Sequence, residues 1–183
     1  MMRAGVFILI CGMLALSSCV KKDENTMFRL AEEDAQHAKW TEAVAGYNEV
    51  LKDFPSGKHA ADAMFRIGII QTNQLKDYAA GMKMLQQVAE QFPASDVAPK
   101  ALMTLGFLYA NQPDVKNLDL AKKYYGQIVT QYPTNELATS ANIELENLGR
   151  SPQDMLQSAQ ESNKPVFSHD TVIHAPSAQA LAH

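Results

Sequence analysis

Residues 102–133, LMTLGFLYANQPDVKNLDLAKKYYGQIVTQYP, hold two apolar ladders on either side of a polar break. In the first, Leu102, Leu105, Gly106 and Tyr109 lie on one face of an α-helix. In the second, Leu118, Ala121, Tyr125 and Ile128 follow at spacings of 3, 4 and 3, and Pro133 comes five residues later, where it ends the helix. The break from Asn111 to Asn117 is the turn between them, so the stretch reads as a helical hairpin.

The same phrase recurs upstream. Phe54-Pro55-Ser56, Phe92-Pro93-Ala94-Ser95 and Tyr132-Pro133-Thr134 place prolines 38 and then 40 residues apart. Trp40, Ala43, Tyr47 and Val50 precede the first proline, and Tyr78, Gly81, Leu85 and Val88 the second. First-helix ladders sit at Met27, Leu30, Ala31 and at Met64, Ile67, Gly68. After Pro133 the aligned residues are Asn142, Leu145 and Glu146, and the pattern fades toward Gly149. A period of this size signals stacked helix pairs, because one hairpin cannot bury its apolar face alone. Three repeats are expected at 26–58, 60–96 and 98–134, with a closing helix at 135–149. Ala43, Gly68, Gly81, Gly106 and Ala121 mark where helices approach closely.

These ladders resemble tetratricopeptide repeats, with Leu105-Gly106 and Tyr109 on a first helix and Ala121, Tyr125 and the closing Pro133 on a second. Gln71 for the usual Tyr and Gly81 for the usual Ala are departures. The resemblance implies an all-α, right-handed solenoid of stacked antiparallel helix pairs. It also implies a groove lined by positions 5, 9 and 13 of each first helix, counting the glycine of Leu-Gly as 8. Those positions are Phe28, Glu32 and Gln36; Phe65, Ile69 and Asn73; Met103, Phe107 and Asn111; and Ile143 on the closing helix. Phe65, Ile69 and Phe107 fit either inter-helix core or ligand surface, since periodicity alone does not separate the two. Lys100, at position 2, is the base that such a groove offers, which argues against a clamp for a peptide carboxylate.

The chain has 183 residues, 46% hydrophobic and 20% charged, with a net charge of −4. Aromatics are 8% and glycine and proline are sparse, a composition of packed helices rather than sheets. The acidic balance and the lack of a clustered basic stripe exclude a nucleic-acid partner. No phosphate loop, nucleophile constellation or His-Glu-x-x-His is present, so no enzyme, cofactor or small-molecule substrate is expected. His169, His174 and His183 lie in a tail without a rigid frame and are not read as a metal site. Glu32-Glu33-Asp34 and His37 read as a solvated helix face.

Both cysteines, Cys11 and Cys19, fall in the first nineteen residues. Arg3 followed by the apolar run Ala4 to Leu16 has the form of a secretory signal, too short for a bilayer core that needs roughly 20 helical residues. Leu16-Ser17-Ser18-Cys19 resembles the lipobox of bacterial lipoproteins. That resemblance implies removal of residues 1–18, covalent lipid on Cys19, a tether at 19–25, and anchorage to the membrane. Val20 after the cysteine, by the same analogy, favours the outer membrane, on its periplasmic face. The Phe-Pro-x-Ser turns and lipobox together resemble the lipoproteins of outer-membrane barrel assembly and the periplasmic repeat protein of the Tol-Pal system. The expected role is thus a non-enzymatic scaffold for envelope proteins or peptides; the alternative is an accessory subunit positioning a cell-wall enzyme or a secretion or Tol-Pal-type complex. Residues 150–183, rich in Ser, Gln, Ala and Pro, are expected to be disordered.

Overall fold

The computed structural model describes residues 23–151, 153, 154 and 156. The leader, Cys19 and the three tail histidines lie outside them. Seven α-helices stand among the described residues, with no strand: α1 (Glu24–Gln36), α2 (Trp40–Asp53), α3 (Ala60–Asn73), α4 (Tyr78–Gln91), α5 (Ala98–Asn111), α6 (Leu118–Gln131) and α7 (Glu136–Asn147). A 3-10 turn, Pro113–Val115, fills the long break after α5. The all-α, tetratricopeptide-like pairing of consecutive helices is as expected.

The recurring prolines act through the residue before them. Phe54, Phe92 and Tyr132 adopt nearly the same backbone, with φ/ψ of −137/63, −128/50 and −129/51, out of the helical region as a following proline requires. Each still donates its N–H to the carbonyl four residues back, at Val50, Val88 and Ile128, over 2.8 to 3.0 Å. Each carbonyl then accepts from the N–H three residues on, at Gly57, Ser95 and Asn135, so one turn is built three times. Side-chain caps start four helices: Asp23 accepts from Thr26 N–H, Asp77 from Ala80, Asn117 from Leu120 and Asn135 from Leu137.

Two compact units are present, one ending at Ala101 and the other beginning at Leu102, inside α5. In the first, α1 packs on α2, α2 on α3 and α3 on α4. Tyr47, Val50, Ile67, Leu85 and Val88 are wholly buried there. Gly68 and Gly81 face one another: a Cβ on Gly81 would stand 2.8 Å from the Gly68 carbonyl oxygen and 2.5 Å from Thr72 Cγ2. Gly46 similarly admits Ala31, whose Cβ would lie 2.9 Å from one added there.

The start of α1 is fastened to the α2–α3 turn. His59 N–H donates to Glu24 Oε1 at 2.6 Å, the His59 ring nitrogen Nε2 meets Asn25 Oδ1 at 2.8 Å, and the Phe28 and His59 rings stack at 4.4 Å. The tether expected to run to residue 25 therefore ends earlier, because Asp23 caps the helix and Glu24 has a partner to reach.

In the second unit Tyr125, Ile128, Leu102 and Leu105 form the centre, α6 packs on α7, and the Tyr109 and Tyr124 rings stack at 5.6 Å. Gly106 lies under Tyr125, where a Cβ would stand 2.5 Å from ring carbon Cε1. Just past α7, order continues into the segment expected to be disordered. Ser151 and Asp154 form a reciprocal cap, Ser151 N–H to Asp154 Oδ2 at 3.0 Å and Asp154 N–H to Ser151 Oγ at 3.2 Å, and Gln153, Asp154 and Leu156 are helical.

Alanine at two glycines should act with opposite sign. At Gly126, in the interior of α6, an added Cβ meets nothing within 4 Å, so Gly126→Ala should stabilise by up to about 1 kcal/mol through helix propensity. At Gly81 that gain is smaller than the clash with a backbone carbonyl, which no rotamer change relieves, and Gly81→Ala should cost about 1 to 3 kcal/mol. Urea unfolding followed by circular dichroism measures both.

Candidate functional site

In the first unit the first-helix positions do not form a uniform apolar stripe. Phe28 is half-buried and packs inward, tilted against Tyr47 at 5.6 Å and joined to the core of α1, α2 and α3. Its expected place in a groove is therefore corrected: stacking on His59 holds its ring against the protein. Phe65 and Ile69 are half-buried. Asn73 ends α3, exposed, and accepts from the Thr72 hydroxyl at 3.3 Å.

Ile69 lines a cavity of about 250 Å3 together with Ala35, Trp40, Ile70, Tyr47, Glu32 and Arg66. At its polar edge one Glu32 oxygen accepts from the Tyr47 hydroxyl and forms an ion pair with Arg66, whose Nε stands 3.0 Å away. Burial, reinforced by the Glu32 hydrogen bond and charge, pushes the Tyr47 phenol well above its ordinary range. Glu32 is thus an acceptor held in place rather than part of a solvated face, whereas Glu33 and Asp34 do pair outward, with Arg29 and Lys39. Arg66 was missed because it reaches Glu32 across 34 residues of sequence, and no ladder position marks it. Lys100 lines a separate polar cleft of about 430 Å3, beside Asp62, Ser95 and Asp96.

In the second unit two of these positions are exposed. Phe107, 56% exposed, and Ile143, 52% exposed, are large apolar side chains in water. Met103 is half-buried, while Asn111 is exposed and donates its amide to the Phe107 carbonyl at 3.1 Å. Of the three residues that periodicity left open, Phe107 is surface, and Phe65 and Ile69 are intermediate. In this unit the Tyr125 hydroxyl is buried without a hydrogen-bond partner among the described residues. Burial first, and the charge of Glu144 second, push its phenol well above the ordinary range.

No described helix is long and apolar enough to cross a membrane, and no group of three or more metal-binding side chains gathers among the described residues. The two surfaces offer shape, apolar area and hydrogen-bonding groups, the means of recognising polypeptide.

The two tyrosines should respond differently to loss of the hydroxyl. Tyr47→Phe removes a hydrogen bond to a charged acceptor and should cost about 1 to 2 kcal/mol. Tyr125→Phe removes a buried hydroxyl that has no partner and should be neutral or stabilising by a few tenths of a kcal/mol, about 0.5 at most. Equal losses in urea titrations of the two variants would contradict this assignment.

No curated protein matches the chain. Two consecutive stretches match a known family, residues 62–95, which cover most of α3 with all of α4, and residues 100–135, which run from α5 through α6: both match the tetratricopeptide repeat.

Proposed function

We propose that this protein is a non-enzymatic scaffold, anchored by lipid on Cys19 at the bacterial outer membrane, that binds segments of other envelope proteins and serves outer-membrane protein assembly. The observation that carries the binding function is the exposure of Phe107 and Ile143 at two first-helix positions where the repeat pattern expects a ligand surface. A soluble fold gains nothing by leaving two such side chains in water, and covering them contributes about 25 cal/mol per Å2. Tetratricopeptide repeats typically bind protein partners, which supports the scaffold class. The anchor rests on the short apolar run and on Leu16-Ser17-Ser18-Cys19. Helix α1 opens at Glu24, so residues 20–23 would keep it within roughly 20 Å of an anchored Cys19.

Affinity purification from detergent-solubilised envelopes tests the reading. Barrel-assembly components should be recovered with the native chain and lost with Phe107→Glu, while the helical circular dichroism of the variant is unchanged. Loss of the helical signal as well would make Phe107 a core residue and end the groove reading; recovery of cell-wall hydrolases or secretion proteins would transfer the role to an accessory subunit. For the anchor, radiolabelled palmitate should enter the native protein and be absent from Cys19→Ala.

A further inference from the structure

The polar cluster of the first unit returns in the second with its parts exchanged. Tyr125 stands seven residues into α6, as Tyr47 stands seven residues into α2. In the repeat register Phe107 takes the place of Glu32, and Glu144 the place of Arg66. The first cluster is complete: hydroxyl, carboxylate and guanidinium satisfy one another. Among the described residues the second has a hydroxyl and a carboxylate, with no cation acting on its phenol. Tyr125 is 0% exposed with its hydroxyl unpartnered, and Glu144 is exposed and makes no hydrogen bond or ion pair among the described residues.

The surroundings give this gap a sign. From Leu102 to Asn111 helix α5 carries no charged residue, and α7 carries Glu136, Glu144 and Glu146 with no lysine or arginine. Tyr125 packs on Gly106 and lies within the electrostatic reach of Glu144; Phe107 follows Gly106 and Ile143 precedes Glu144 in sequence. On the two helices that carry these exposed apolar side chains, α5 from Leu102 onward and α7, every charged residue is thus a carboxylate.

We infer that this face takes a basic amphipathic segment of a partner protein, its apolar side chains covering Phe107 and Ile143 and its lysine or arginine pairing with Glu144. The inference rests on the binding function proposed above and adds the charge of the segment bound. Covering the apolar pair excludes water, and an ion pair at a drying rim is stronger than one in bulk solvent. The incoming cation supplies what Arg66 supplies in the first unit.

The test uses the full chain and three labelled amphipathic peptides of about 18 residues, five helical turns, with one leucine stripe and a polar face of lysine, glutamine or glutamate. Fluorescence anisotropy should rank lysine about tenfold tighter than glutamine, with glutamate weakest, and the lysine preference should shrink as salt rises from about 50 to about 500 mM. Glu144→Gln should erase the preference for lysine over glutamine, and Glu144→Arg should reverse it toward glutamate; circular dichroism melts confirm that both variants fold. A charge-blind ranking, or a lysine preference that survives Glu144→Gln, overturns the inference. If Phe107→Ser still weakens all three peptides in that event, the apolar binding function stands without it. If Phe107→Ser weakens none, that function fails too. Phe107-dependent self-association in sedimentation, with no peptide bound, would assign the face to a second copy and overturn the inference.

Discussion

Backbone contact between α3 and α4 sets the spacing on which the first unit depends. A helix hairpin stripped of side chains at its crossing point can bring its two axes close enough for neighbouring ladders to interdigitate, and Gly68 opposite Gly81 provides that crossing. The gap is too narrow for a methyl group, so the usual alanine of the repeat gives way to glycine at residue 81. Leu85 occupies the remaining space, with its Cγ 2.8 Å from where a Gly68 Cβ would be. In the second unit one glycine suffices, because the flat Tyr125 ring rather than a second backbone lies over Gly106. Both solutions bury a large side chain against main chain, a dense contact that yields little to substitution.

Much of this was legible in the sequence for a physical reason. Second-helix ladders report burial on one side only, and their members Ala43, Tyr47, Val50, Leu85, Val88, Ala121, Tyr125 and Ile128 are wholly buried. Prolines after Phe54, Phe92 and Tyr132 mark helix ends because they act locally. First helices are harder, since they have neighbours on more than one side and a stripe of apolar residues has no stated direction. Phe28 and Phe107 both look like groove residues in sequence, yet a histidine from another turn covers one, and among the described residues nothing comparable covers the other. The Glu32–Arg66 pair joins α1 to α3 and leaves no periodic trace. Ser151 to Asp154 is a capping box visible in the sequence, obscured there by the polar composition of the residues that follow.

The two polar clusters show how a repeat can be specialised without altering its frame. Tyr47 and Tyr125 keep the same helix position and the same burial, and both phenols are held above the ordinary range chiefly by that burial. What differs is who neutralises the group beside them. A cluster completed from within adds fold specificity; one left incomplete at a surface retains an unspent capacity for a partner's charge.

The fastening of α1 to the α2–α3 turn has a mechanical consequence. A tug on the chain ahead of Asp23 would be shared between the first helix and residues 57–59, through the Glu24 carboxylate and the ring pair of Phe28 and His59. The helix could not peel away until that clasp slipped, which makes the start of α1 a strain relief, like the collar that protects a cable at its socket.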